Sequence, residues 1–287
     1  MGFIFLVSNL ICGYFLVKVA LPLFARLLRK AGMLKANYRG ELIPAALGLV
    51  FPLILPLLFL VEQSLELLGF STGLNRLPFF AFLFFTTGFG LLGLADDLLK
   101  DDGEKGIRQH LKVLGRGELT SGGLKALFGV AFSLIFALGV HFATGGNWWL
   151  LIPQIFVAAL SPNILNLFDL RPGRAIKVFL AGMLLLMINS YLDKGLNFTL
   201  YLGAPVLGAV LPYLPLDLKG QAMLGDTGAN FLGGVFGALV VLDGDPRFLG
   251  ATLFVFLGLQ LMAERVSFTK LIENNWLLKF FDDLGRE

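Results

Sequence analysis

The chain has 287 residues, 56% of them hydrophobic and only 15% charged, with a net charge of +3 and one cysteine. A soluble domain carries about a quarter charged residues, so a soluble enzyme is excluded, and a single cysteine excludes a disulfide framework. Phe occurs 29 times and Gly 35 times, which suits a membrane bundle whose helices approach closely.

Apolar stretches near the ~20 residues that cross a bilayer recur at 3–25, 43–62, 78–95, 124–143, 149–168, 175–191, 197–214, 229–243 and 248–264. They predict an all-α polytopic membrane protein, a bundle of about nine to ten transmembrane helices forming one integral-membrane domain over 1–287. The first stretch is too long and too apolar for a cleaved signal peptide and reads as a retained span. The connecting segments fall into two alternating sets. One set carries almost all the cations: Arg26, Arg29, Lys30, Lys35 and Arg39, then Lys100 to Lys125, then Arg171, Arg174 and Lys177, then Lys219, then Arg265 to Arg286. The other set holds only Arg76, Lys194 and Arg247. Positive charge stays in the cytoplasm, so the first set is expected there, with the N-terminus outside. Residues 265–287 mix Trp276, Phe and Leu with charges and predict an amphipathic tail on the cytoplasmic surface.

Four groups of polar residues then stand out, all in the cation-rich set. Asp96 and Asp97 close an apolar run, with Lys100 three residues after Asp97. Such a pair can hold Mg²⁺, which takes one or two carboxylates plus phosphate oxygens, or one aspartate can act as a base. A solvated helix end accounts for a lone acidic pair equally well. The loop that follows carries Lys105, Arg108, His110 and Lys112, a spacing suited to phosphate and equally to anionic lipid. Asn163, Asn166 and Asp169 recur every three residues on one helical stripe, with Arg171 and Arg174 around a Pro-Gly turn beyond. Polar side chains in a span are functional candidates, although Asn also joins helices by hydrogen bonds. Finally, Asp226 lies between Gly225 and Thr227-Gly228 at the start of a glycine-rich span. A helix N-terminus there favours anions, while Gly233 and Gly237 form a GxxxG packing face.

Together these residues resemble the polyprenyl-phosphate N-acetylhexosamine-1-phosphate transferases of the MraY and WecA type. The family's D-D-x-x-K is present as Asp96, Asp97 and Lys100, with Lys112 matching a further lysine; N-x-x-N-x-x-D is Asn163, Asn166 and Asp169, and G-D-T-G is Gly225 to Gly228. The resemblance runs from about residue 30 to 265. It implies Mg²⁺-dependent transfer of a sugar-1-phosphate from a UDP-sugar to undecaprenyl phosphate in the bacterial inner membrane, an early step of peptidoglycan or another surface glycan. It further implies Asp226 and Asp97 at the metal, Asp96 and Asp97 at the acceptor phosphate, Lys100 and Lys112 on phosphates, and Asn163, Asn166 and Asp169 in the donor pocket. A homodimer is common among such relatives. The pattern departs from the family after Asp169, where D-G-x-D-G is replaced by Leu170 to Arg174, so Arg171 and Arg174 are expected to meet a more anionic donor. A histidine-rich motif of the last cytoplasmic loop has no counterpart; Glu264 to Lys270 stands there instead. Two other classes compete: a catalytically degenerate relative that binds lipid or nucleotide and regulates envelope synthesis, and a transporter of lipid-linked sugar, which would require an inverted repeat.

Overall fold

A backbone in hydrocarbon must satisfy its own N–H and C=O groups, and a helix does so within one segment. All nine apolar stretches accordingly contain a helix. The computed structural model describes residues 2–67, 76–99 and 121–286. Its long helices are α1 (Gly2–Lys30), α2 (Val50–Leu67), α3 (Arg76–Leu99), α4 (Ser121–Thr144), α5 (Trp148–Phe168), α6 (Arg174–Lys194), α7 (Phe198–Leu218), α8 (Gly225–Asp243) and α9 (Pro246–Ala263). Two short helices follow, α10 (Phe268–Glu273) and α11 (Trp276–Asp283). Among the described residues, eight helices are long and apolar enough to cross a membrane, and the chain is an all-α polytopic membrane protein.

Helix α2 begins later than the second apolar stretch, and the reason is local. Residues 43–49 are as apolar as a span, yet they do not enter the helix. Strand β2 (Leu42–Pro44) pairs antiparallel with β1 (Leu34–Ala36), and Leu47–Leu49 form one 3₁₀ turn. This segment laces itself to the loop before α8: Met223 N donates to Pro44 O at 2.9 Å, Leu47 N to Met223 O at 2.9 Å and Gly48 N to Leu224 O at 3.1 Å. Asn37 fastens the hairpin from the other side, its Nδ2 donating to Gly220 O at 2.8 Å.

Helix α8 is the centre of the bundle. Nearly every residue from Thr227 to Val241 is buried, with α3 and α5 packed on either side. The GxxxG face works as expected. A Cβ on Gly233 would fall 2.6 Å from Pro162 Cα of α5, and one on Gly237 2.8 Å from Ser161 Cβ. At the far end of α8, Asp243 accepts from Ser190 Oγ and is paired with Lys194, which closes α6 onto α8. The other ends of α3, α5, α7 and α8 meet beneath the hairpin, and there the polar residues gather.

The segment after α9 is amphipathic, with Trp276, Phe280 and Phe281 exposed and Asp282 buried. Burial pushes the Asp282 carboxyl up, but hydrogen bonds and charge from Arg174 and Arg286 outweigh it and hold it at about 2. A carboxylate depressed on folding adds stability that is complete above its ordinary value of about 4 and is lost as pH falls through the folded value. Acidification from about pH 4 to 2 is therefore expected to loosen α11 before the bundle. Hydrogen exchange across residues 276–286 checks this, with Asp282→Asn expected to abolish the pH dependence.

Candidate active site

The site starts from a helix whose first N–H groups need partners. Gly225 turns the chain into α8 with φ +73°, a conformation that L side chains rarely adopt, and a Cβ there would lie 2.9 Å from both Ala45 O and Asp97 Oδ2. The residue before it, Leu224, offers no side-chain cap, so the first turn is left with unsatisfied donors. Asp97 supplies the cap from α3. Its Oδ1 accepts from Asp226 N at 3.2 Å, and its Oδ2 accepts from Thr227 N at 3.0 Å and Thr227 Oγ1 at 2.7 Å. Helix α3 comes this near because Gly93 has no side chain: a Cβ would sit 2.6 Å from the Asp226 carbonyl carbon and 2.7 Å from Thr227 Cα.

Asp96, one residue earlier, faces α4, where Lys125 Nζ lies 3.4 Å from its Oδ2. Its carboxyl is also within hydrogen-bond reach of Asp226. Two carboxylates in contact repel unless a proton or a cation sits with them. Asp169 caps the end of α5. Burial first, and then the carboxylates of Asp217, Asp226 and Asp97, push its carboxyl well above the usual range, against a hydrogen bond from Gly225 N–H. The group is thus crowded with negative charge.

These residues share one cavity of about 400 Å³. Its wall includes Asp96, Asp97, Asp169, Asp217 and Asp226, the hairpin residues Lys35, Asn37 and Tyr38, and the loop residues Leu170, Arg171 and Pro172. Of the residues expected from sequence, the fold therefore brings Asp96, Asp97, Asp169, Arg171 and Asp226 together. Lys100 and Lys112 lie outside the described residues. Asn163 does not line the cavity; its Nδ2 donates to Gln260 Oε1 of α9 at 2.8 Å, the helix-joining role. Asn166, on the same stripe, is absent from the wall as well. Arg174 is buried and engaged by Asp282, with its Nε and Nη2 each donating at 2.7 Å, so its guanidinium is turned from the cavity. Both expectations rested on spacing from Asp169, and spacing along one helix does not show which neighbour each side chain finds.

Sequence reading missed Asp217, Lys125 and the hairpin wall as parts of the site, and it named Thr227 in its motif without the bond to Asp97. Asp217 had a signal, as a lone carboxylate in the apolar run of α7, beside Pro215. Lys125 was recognised only as part of the cation-rich set. The hairpin gave none, because residues 43–49 look like membrane span.

Among the described residues, no three His, Cys, Asp or Glu side chains form a ready metal-binding group. The carboxylates nevertheless fit a hard divalent cation, which takes one or two of them and completes its shell with substrate oxygens. Asp226 is the better placed, since Asp97 already accepts three hydrogen bonds. Replacing Asp97 by Ala strands those donors. A hydrogen bond to a charged group contributes about 1.5–3 kcal/mol, so a clear drop in thermal midpoint is expected, and Asp97→Asn should recover part of it. Differential scanning fluorimetry of the purified variants measures both.

The glycosyl transferase family 4 pattern matches residues 79–243, from α3 through α8, which includes every acidic motif of the cavity. The chain is 24% identical over 281 residues to the phospho-N-acetylmuramoyl-pentapeptide-transferase of Staphylococcus saprophyticus, covering 93% of this chain and 83% of that relative. It is 26% identical over 284 residues to the corresponding protein of Staphylococcus aureus, with the same coverage. A third, from Desulfovibrio desulfuricans, is 29% identical over 212 residues, 65% of this chain and 57% of the relative. With a match across more than half its length, and with the acidic motifs of that match meeting at one cavity, the chain belongs to glycosyl transferase family 4 and is a membrane-embedded transferase.

Proposed function

We propose that this protein transfers a sugar-1-phosphate from a UDP-sugar to a polyprenyl phosphate such as undecaprenyl phosphate, releasing UMP and leaving a lipid diphosphate. The relatives' name points to peptidoglycan synthesis as the pathway. The observation that carries the reading is the convergence of Asp96, Asp97 and Asp226 at the start of α8, in a cavity at the cation-rich end of the bundle. Charge placement supports a cytoplasmic position for that end, where nucleotide sugars are found, and the reading takes the chain as a single integral-membrane domain of the bacterial inner membrane.

Each residue's role follows from its surroundings. Asp226 would hold Mg²⁺, with Asp97 contributing from its remaining lone pairs. When bound, the ion offsets the charge of the donor diphosphate. Asp97 is fixed by three donors and so is a rigid guide for the acceptor. Asp96, beside Lys125 and Asp226, is better suited to take a proton from the acceptor phosphate, which attacks the donor phosphorus in line with the leaving nucleotide. Lys100 and Lys112 would neutralise phosphate oxygens. Asp169 lines the donor side with Asn166 behind it, and Arg171 is the arginine placed to meet a donor anion.

A panel of UDP-, CDP- and GDP-sugars with Mg²⁺ tests this by thermal stabilisation, since a ligand stabilises only the state it binds. One UDP-sugar class is expected to raise the midpoint, and only with the metal present. A flat response across the panel would contradict the assignment.

A further inference from the structure

The cavity wall formed by Asp169, Leu170, Arg171 and Pro172 is a short loop between α5 and α6. Its own backbone holds it loosely, with Arg174 N donating to Arg171 O at 3.2 Å. Gly225 N–H holds Asp169 and Asp217 holds Gly173 N–H at the ends of the loop, and the bonds to its middle and to the start of α6 come from the segment around α11. Arg174 grips Asp282 with two parallel bonds of 2.7 Å, and the two side chains are only 4% and 8% exposed. Arg286 donates to Pro172 O through Nε at 3.1 Å and Nη2 at 3.0 Å, and it also reaches Asp282 at 3.0 Å. Lys177 Nζ donates to the carbonyls of Phe281 at 3.1 Å and Asp282 at 2.6 Å. Arg171 is itself paired with Glu273 at 3.3 Å.

A buried ion pair contributes little net stability once its desolvation is counted, whereas a bidentate arginine fixes direction. Here the direction fixed is that of a wall residue: Pro172 lines the cavity, and its carbonyl takes both bonds from Arg286. We infer that Arg174, Asp282 and Arg286 are positioning residues, and that α11 is a clasp setting the donor-side wall of the cavity. This rests on the proposed transfer reaction, in which that wall meets the nucleotide sugar. The arginine after the Pro-Gly turn thus acts on the donor through the loop and not by contact.

The test uses the full-length chain with Asp282→Asn and, as a milder change at a partly open site, Arg286→Gln. Misplacing a substrate-positioning wall costs on the order of 10- to 100-fold. The clasp predicts that loss in the KM for nucleotide sugar, with the KM for polyprenyl phosphate held within about twofold. Arg174→Lys, which keeps the charge but loses the fork, should behave like Asp282→Asn. Amide exchange over residues 170–177 should quicken in all three variants. A fall in kcat proportional to lost folded protein, with both KM values unchanged, would make the pair merely structural. Unchanged exchange over 170–177 would overturn the clasp outright. If wild type turned over no donor, the transfer reaction would fail, while the exchange experiment would still judge the clasp.

Discussion

Asp226→Asn is expected to fold like wild type and to lose transferase activity by roughly 100- to 1,000-fold, the loss that follows removal of one preorganised charge-stabilising group. The two halves of that expectation have separate causes. Asp226 contributes its backbone N–H to the Asp97 cap, and the substitution leaves that bond in place. Its carboxyl touches Asp96 and lies near Asp97, so losing the charge relieves repulsion. The thermal midpoint should therefore hold or rise. Activity should fall because the remaining carboxylates cannot replace it: Asp97 is occupied by three donors, and Asp96 faces Lys125. Initial rates over a Mg²⁺ titration make the comparison. Near-normal activity at saturating metal would remove Asp226 from the centre of the site.

Gly93→Val should lower stability and activity together. The new Cβ would lie 2.6 and 2.7 Å from backbone atoms of Asp226 and Thr227, which have no rotamer to swing aside. Overpacking of a close-packed interface costs about 1–3 kcal/mol, and sometimes more. Separating α3 from α8 also stretches the Asp97 cap, so the carboxylate proposed to guide the acceptor moves with the packing fault. Gly250→Ala is the control. Nothing lies within 4 Å of its Cβ, and alanine gains about 1 kcal/mol of helix propensity, so its midpoint should stay level or rise. Thermal unfolding and initial rates of both variants decide the matter.

The fold was legible to the extent that hydropathy dictates it. A helix is required wherever a long apolar run meets lipid, so α1 to α9 follow from the chain alone. Only the start of the second stretch misled, because an apolar segment can satisfy its backbone against another loop; Met223 and Leu224 provide that alternative for residues 44–48. The acidic core of the site was legible for another reason. Asp96, Asp97, Asp169 and Asp226 are each costly at a span end, and they match one family pattern in order and spacing. Asn163 belonged to the same pattern and Arg174 stood where the chain departs from it, and both found partners elsewhere. Gln260 lies 97 residues from Asn163, and Asp282 lies 108 from Arg174. No local pattern reports partners at that distance.

The departure after Asp169 is where sequence and structure inform each other most. Replacement of D-G-x-D-G removes one carboxylate from the wall and places Arg171 there, while Arg174 is drawn to α11. Asp217, brought in from α7 and hydrogen-bonded by Gly173 N–H, adds a carboxyl group to the same region. The cavity wall therefore remains rich in carboxyl groups despite the altered motif.

The most direct measurement is product formation. Purified protein with Mg²⁺, a UDP-sugar panel and undecaprenyl phosphate should yield a lipid diphosphate and one UMP per turnover with at least one donor, and neither product when the lipid is omitted. Binding of a UDP-sugar without lipid diphosphate from any donor, in an assay where a Staphylococcus relative is active, would contradict the account and leave a binding protein in its place.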